Sequence, residues 1–447
     1  MHTQYRVTQL KIMPPLEPDF RPGGLTTRGV KGVRVEVALE RCGDSISRAA
    51  REIAPDDFRT LERWVKFLLW SRGAHRIHIA GPREWFEQLQ RHYTESPTGK
   101  FDAEIMGRKI YERPFEVVWT KELPSAREQS AALGGHLNGC RIGFDLGASD
   151  RKVAAVIDGE PVFTEEVPWD PRSRPDPQWH FAEINDSLKR AAAHLPRVDA
   201  IGGSAAGVYV NNQVKVASLF RGVPEDLFAK RVKGLFGELK KEWNSVPFEV
   251  VNDGEVTALA GAMALKANGV LGISMGSSQA AGYVTPDGKI TTWLNELAFA
   301  PIDYNPHAPV DEWSGDYGCG VQYFSQQAVG RLIPKAGLPV KGDLPLPEKL
   351  VEVQKAMAAG DERASRIYET IGVCFGYAVA EYAHFYEFKH LLVLGRVTTG
   401  EGGAVIIREA QQVLREEFPE SKIAFHMPDE KEKRHGQAIA AASLPVI

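Results

Sequence analysis

Four short segments of this chain carry residue types that could do chemistry together: Asp145-Leu146-Gly147, Asn252-Asp253-Gly254, Gly276-Ser277-Ser278 and Leu394-Gly395-Arg396. Each stands where an apolar run gives way to small or polar residues, as at the end of a strand. Moving a phosphoryl group requires a positioned hydroxyl, balanced phosphate charge and a group to take the proton, with little covalent work by the protein. Asp253 is the candidate general base. The same Asn-Asp-Gly before an Ala-rich stretch also reads as a turn and helix cap. Asp145 is the candidate partner for magnesium, through water, because that ion sheds its hydration shell reluctantly. A strand-end Asp bonding its own turn is the plainer reading.

Around these two carboxylates, Gly147, Ser149 and Lys152 lie close enough in sequence to approach phosphates. Gly276, Ser277 and Ser278 could hold phosphate through amides and hydroxyls, as concave turns do, or simply close a hairpin. Gly395 would let a nucleoside approach the backbone, although a strand-to-helix turn uses the same residue. Ser204, Asn252, Glu296 and His307 are the candidate acceptor ligands. His307 belongs to a polar segment, residues 302–316, with Asp303, Tyr304, Asn305, Asp311, Glu312 and Trp313, a mixture that suits a polyol or sugar pocket. Cys319 and Cys374 read as small buried hydrophobes.

The elements that must position these groups follow from periodicity. Residues 141–145 and 152–157 read as a strand pair, 198–203 and 248–251 as buried strands, and 270–274 with 281–284 as a second pair around the Gly276 turn. Helices are expected at 180–194, 225–243, 253–266, 362–388 and 403–416, and a last strand at 390–394. A polar, small-residue stretch at 121–140 separates all this from an N-terminal α/β region. There, 33–37 and 76–80 alternate as strands, 57–72 carries helical apolar spacing, and Gly81-Pro82 opens a helix. Residues 101–119 suggest a hairpin and a further strand. The charge run Asp429 to Arg434 reads as a solvated helix start.

Composition sets outer bounds. A chain of 447 residues, 43% hydrophobic and 25% charged, is expected to form two or three domains. A net charge of −4 offers no basic field for nucleic acid. The four cysteines are scattered without a CxxC pair, which predicts reduced thiols. Residues 1–20 lack the pattern of a signal peptide, and no apolar run approaches the ~18 residues of a membrane span. The expectation is a cytoplasmic protein with neither nucleic-acid nor membrane partners.

Taken in order, residues 141–447 resemble the ROK (repressor, open reading frame, kinase) family of sugar kinases in the actin/hexokinase/Hsp70 ATPase superfamily. The carriers are Ile142 to Gly147, Gly202 to Val208, Val250 to Glu255, residues 270–284, Ala358 to Asp361, Leu394 to Val397, and Gly436 to Ala440. The resemblance implies an α/β, two-lobed ribonuclease-H-like ATPase fold with an additional N-terminal α/β module. It divides the chain into a module at 1–135, one lobe at 141–252 with the C-terminal helix, and a second lobe at 253–435. It further implies ATP and Mg2+ as cofactors, a sugar-like acceptor, and room for a homodimer. The family's Glu-x-Gly-His motif is represented by Glu296-Leu297-Ala298-Phe299, and its cysteine-rich zinc loop by a stretch containing Cys319 alone. Structural zinc is therefore not expected. The expected activity is transfer of the γ-phosphate to an acceptor hydroxyl. A degenerate sugar or nucleotide sensor, or an ATPase acting through a partner, is the rival reading.

Overall fold

Alternation at the start of the N-terminal region produces strand β1 (Val33–Glu40), with Val35, Val37 and Leu39 fully buried. The computed structural model describes residues 10–26, 31–42, 45–128, 130–131, 134–427 and 430–447. Before β1 lies one helical turn, α1 (Gly23–Thr26). Strand β2 (Ile46–Ile53) pairs antiparallel with β1 on the sheet edge. Its polar, outward-facing residues hide it from a periodicity reading. Asp57 then caps α2 (Phe58–Arg72), its Oδ1 accepting the Thr60 N–H at 3.1 Å. Strand β3 (Arg76–Ala80), helices α3 (Arg83–Glu95) and α4 (Pro97–Ala103), and strand β4 (Glu116–Trp119) complete a sheet of order β2-β1-β3-β4. The hairpin expected at 101–119 is instead the end of α4 continued by π-helical turns at 104–111. Ile105, Met106, Ile110 and Tyr111 are buried, a five-residue recurrence that suits a widened helix.

The two short residues of β5 (Ser130–Ala131) join the distant edge of another sheet. The first lobe is built on β6 (Cys140–Leu146), β7 (Asp150–Ile157), β8 (Glu160–Pro168), β9 (Ala200–Ala205) and β12 (Phe248–Asn252), in the order β12-β9-β6-β7-β8. Strands β6, β9 and β12 run parallel, as their helical crossovers require. The prolines at both ends of β8 are tolerated because it is an edge strand. Helix α5 (Pro177–Ala192) covers the sheet, and β10 (Val208–Val210) with β11 (Gln213–Val216) forms a small hairpin beside it. The helix expected at 225–243 is broken into α6 (Glu225–Leu227), π-helical turns at 228–232 and α7 (Leu235–Glu242). Phe144, Phe236 and Phe248 pack at the centre of this lobe.

Asn252 caps α8 (Asp253–Leu265), which leads to the hairpin β13 (Val270–Met275) and β14 (Gln279–Val284) and to the short β15 (Ile290–Thr291). Helices α9 (Gln326–Ala336), α10 (Leu346–Ala358) and α11 (Glu362–Tyr382) follow. Strand β16 (His390–Leu394), α12 (Gly400–Glu417), β17 (Ala424–His426) and α13 (Glu430–Ala442) close the chain. The second sheet has the order β17-β16-β13-β14-β15-β5. Of the charge run read as a helix start, Asp429 lies outside the described residues, and α13 begins at Glu430.

Helix α13 lies on the first lobe at unusually close range: a Cβ on Gly143 or on Gly202 would come within 1.7 Å of the carbonyl oxygen of Ala438 or Ala441. Gln437 of α13 donates to Thr257 Oγ1 of α8 at 2.5 Å, so the helices seated on the two sheets meet each other. The N-terminal module shares one apolar core with the second lobe, while the first lobe has its own. Phe67 stacks on Phe385 at 4.0 Å, and Trp70 meets Phe299 at 4.6 Å.

Candidate active site

Asp145 stands one residue before the end of β6 and is almost wholly buried, and its Oδ1 accepts the Ser204 hydroxyl of β9 at 2.6 Å. The parallel register sets those two residues side by side. Lys152, opposite Asp145 in β7, places its Nζ 3.0 Å from Asp150 Oδ1 and 3.8 Å from Asp145 Oδ2. Burial alone would lower the Lys152 pKa, but the carboxylates of Asp145 and Asp150 outweigh it and hold the ammonium charged. Asp145 is shifted upward by burial, against the Ser204 hydrogen bond and the Lys152 charge. Between these strands, the Gly147 N–H donates to Asp150 O at 2.9 Å. Trp169 braces the turn, its backbone N–H on Ser149 O and its indole Nε1 on Gly147 O at 2.9 Å.

Asp253 opens α8 and keeps partial solvent contact. It is nonetheless crowded enough that burial, and then the neighbouring Asp145 charge, raises its pKa to about 6. Glu296 stands in the same field: burial first, and then Asp253, raise it to about 7. The fold thus gathers Asp145, Asp253 and Glu296 from three separate parts of the sequence. Asn252 is committed to structure at both ends of its amide. Its Oδ1 accepts the Gly254 N–H at 2.7 Å, and its Nδ2 donates to Gly207 O at 2.7 Å. Ser204, expected beside the acceptor, is fully buried and directs its hydroxyl at Asp145.

Gly276, Ser277 and Ser278 form the β13–β14 turn, with the Gly276 N–H on Ser278 O at 2.9 Å and both serines exposed. Gly395 has φ +106°, and a Cβ there would come within 2.4 Å of Met275 O. The close approach that this glycine permits is to the strand leading into the Gly276 turn. His307 is exposed, and its backbone N–H donates to Asn305 Oδ1. The polar groups of residues 302–316 turn toward the N-terminal segment instead. Asp303 accepts from the Arg21 N–H at 3.0 Å, Asn305 Nδ2 donates to Asp19 O, and Asp316 pairs with Arg63 and Lys66.

Two cavities reach residues next to these carboxylates, Lys152 and Thr257 in one and Asn252 in the other, although none of the three carboxylates lines either. The larger, about 810 Å³, is walled by α8, α13 and β16 and reaches Lys152, Thr257, Gly395, Arg396 and Thr399. Thr257 bonds Asp253 O at 2.8 Å, so this cavity ends one helical turn from the candidate base. The smaller, about 370 Å³, ends at Asn252 and Tyr209. The Tyr209 pKa is raised by burial and by Asp253. Sequence reasoning missed Thr257 and Trp169. The i+4 spacing of Thr257 from Asp253 was available as a signal; nothing local marks Trp169.

In structure, the chain matches a ROK hexokinase from Thermus thermophilus with a TM-score of 0.55 at 16% identity, over 68% of this chain and 97% of that one. The fold is that of the ROK proteins. A ROK family glucokinase from Streptomyces griseus, in complex with glucose and AMPPNP, matches with a TM-score of 0.51 at 18% identity, over 69% of this chain and 99% of that one. A ROK family transcriptional regulator, a homolog of the E. coli MLC protein, gives 0.55 at 19% identity, over 69% and 79%. No family model matches the chain, and no curated protein matches it by sequence. Among the described residues, no helix is long and apolar enough to cross a membrane.

Proposed function

We propose that the protein is an ATP-dependent phosphotransferase acting on a hydroxyl of a sugar-like small molecule, in the manner of the ROK hexokinase and glucokinase whose fold it shares. The observation that carries this reading is the set of under-neutralised carboxylates Asp145, Asp253 and Glu296, with two cavities that come up to their immediate neighbours Lys152, Thr257 and Asn252. Perturbed carboxylates gathered at a cleft are where proton chemistry is expected. Functionally the chain divides into a module at 1–135, a first lobe at 141–252 with the C-terminal helix, and a second lobe at 253–435.

In this reading the larger cavity takes the nucleotide, with Gly395 and Thr399 on its nucleoside side and Lys152 toward the phosphates. Gly276, Ser277 and Ser278 present an amide-and-hydroxyl turn to the same phosphates. With a pKa of about 6, Asp253 is ionised at neutral pH and accepts the proton of the acceptor hydroxyl. The acceptor oxygen bonds to the γ-phosphorus, the bond from that phosphorus to the β–γ bridging oxygen breaks, and ADP leaves with the electron pair. A single buried carboxylate beside a phosphate site suits magnesium, so Asp145 would hold it through water. Bound there, the ion would neutralise charge on the transferring group. The setting of the reaction is the cytoplasm.

The match to a ROK regulator, and Phe299 where the kinases' motif carries a His, favour one second reading: a sensor that binds without transferring. Purified protein incubated with Mg-ATP and a panel of sugars, amino sugars and polyols separates the two. Acceptor-dependent ADP release that disappears in Asp253→Asn supports the kinase. Nucleotide binding without any acceptor-stimulated turnover supports the sensor.

A further inference from the structure

The smaller cavity is walled by three parts of the molecule. Tyr209 and Asn212 come from the β10–β11 hairpin of the first lobe, Trp293 from the second lobe, and Arg41 and Tyr111 from the N-terminal module. Asn252, the residue before the candidate base, stands at its edge. The module is therefore part of the wall of a cavity that abuts the reacting centre.

Its two contributions are held firmly. Arg41 is 2% exposed; its guanidinium donates to Ser45 Oγ at 2.9 Å, Ser47 Oγ at 3.2 Å and Glu128 Oε2 at 2.6 Å, while its buried Nε has no partner among the described residues. Glu128 also accepts the Trp293 indole N–H at 3.1 Å, which ties this wall to the second lobe. Tyr111 is buried, and its ring occupies space that Gly73 leaves open: a Cβ on Gly73 would lie 2.0 Å from the Tyr111 hydroxyl. The next residue, Glu112, pairs with Lys215 at 3.3 Å and with Lys233, both in the first lobe. Lys109 reaches Glu225 of the same lobe at 3.0 Å. The module thus bridges both lobes around the cavity.

The lining chemistry is selective. The rings of Tyr111, Tyr209 and Trp293 supply apolar lining that suits the carbon skeleton of a ring, while the amide and hydroxyl groups of residues such as Asn211, Thr291 and Thr292 suit its hydroxyls. The one arginine is already matched by Glu128, and the carboxyl groups of Glu249 and Glu255 stand on the wall. Among the described residues lining the cavity, an anionic ligand would find no cation besides Arg41. We propose that this cavity seats the part of the acceptor remote from the phosphorylated hydroxyl, and that Tyr111 and Arg41 make the N-terminal module a specificity-determining wall selecting an uncharged, polyhydroxylated group. This rests on the phosphotransferase reading above.

The test uses the full chain with five probes: glucose, N-acetylmannosamine and myo-inositol as neutral ligands, glucose 6-phosphate and gluconate as anionic ones. Binding is measured by calorimetry and saturation-transfer NMR on the wild type, Tyr111→Phe, Tyr111→Trp and Thr291→Trp, with Mg-AMPPNP binding and the unfolding midpoint as controls. Thr291→Trp blocks the cavity from the opposite wall, and Tyr111→Phe preserves the packing. The expected result is that at least one neutral probe binds, and that the two Trp variants weaken it at least tenfold while AMPPNP affinity stays within twofold. Three results would overturn the proposal: neutral binding untouched by all three variants, preference for an anionic probe, or no binding of any neutral probe. Turnover separates this idea from the activity itself. Binding that depends on Tyr111 without phosphoryl transfer sinks the kinase and keeps the wall. Transfer whose acceptor KM ignores Tyr111 sinks the wall and keeps the kinase.

Discussion

Two clusters of buried carboxylates in this protein differ in how closely cations answer them. At the junction of the N-terminal module with the second lobe, Lys66 Nζ lies 2.9 Å from Asp102 and 2.7 Å from Asp316, and Arg63 pairs with Asp316 and Glu62 at 2.9 and 2.6 Å. There, burial works against ionisation of Asp316, but Lys66 and Arg63 outweigh it and hold the carboxyl well below its usual range, while Asp102, which has Lys66 but not Arg63, is still shifted upward by burial. In the cleft, Asp145 has Lys152 at 3.8 Å, and among the described residues no Lys or Arg pairs with Asp253, Glu255 or Glu296. Their pKa values rise. The junction uses charge to fix the fold, and the cleft leaves charge unanswered, ready for a proton or a phosphate-bound cation.

The largest effect should come from Asp253→Asn. If the cleft cluster is chemical, this isosteric change lowers acceptor-dependent kcat by about 10²–10⁴ while nucleotide binding persists. Full activity with a genuine acceptor would end the assignment of the base. The matching blow to the junction is Lys66→Met, which leaves Asp102 and Asp316 buried without their ammonium. It should cost about 3–5 kcal/mol in urea unfolding. A loss below ~1 kcal/mol would mean that the junction charges are not structural partners, and the contrast would collapse.

The contrast was only half legible in the sequence. Asp145 and Asp253 were legible as candidates from their places at a strand end and a helix start, Glu296 only through the resemblance to the family's Glu-x-Gly-His motif, and α8, the β13–β14 hairpin and β16 followed from local patterning. The junction cluster did not, because Lys66 and Arg63 sit on a helix whose amphipathic reading puts charges in solvent. What buries them is the second lobe, which packs on α2 from more than two hundred residues away in the chain, and no local pattern encodes that. The same distance explains His307. Its polar segment looked like an acceptor loop, yet Asp303, Asn305 and Asp316 face Arg21, Asp19 and Lys66. Edge strands β2 and β8 were missed because only one side of each is covered.

Titration sharpens the comparison at intermediate scale. With Asp253 at about 6, kcat/KM should fall tenfold per pH unit below that value and level off above it. Because Asp145 is the charged neighbour that raises Asp253, Asp145→Asn should move the Asp253 carboxyl resonance to a lower titration midpoint by NMR. An unchanged midpoint would show that burial alone sets the value and that the two carboxylates do not interact.

The last test addresses the sign of the contrast in stability. Burial pushes Glu255 up to about 8, against hydrogen bonds from Asn295 and the Tyr283 N–H. Between the ordinary carboxyl value of about 4.3 and about 8, the folded chain then holds a proton that the unfolded chain has released. Its contribution is fully present below the unfolded value and declines as pH rises, by up to about 1.4 kcal/mol per unit. Asp316 runs the other way: held low by its cations, it loses its contribution as pH falls. Glu255→Gln removes the first slope and keeps the second, at the cost of one hydrogen bond, about 1 kcal/mol. Plotted against pH, unfolding midpoints of wild type and variant should therefore cross near about pH 5, with the variant less stable near about pH 4 and more stable near about pH 8.5. Parallel curves would show that Glu255 is ionised in the folded protein at neutral pH, and the cleft would then be as well matched in charge as the junction.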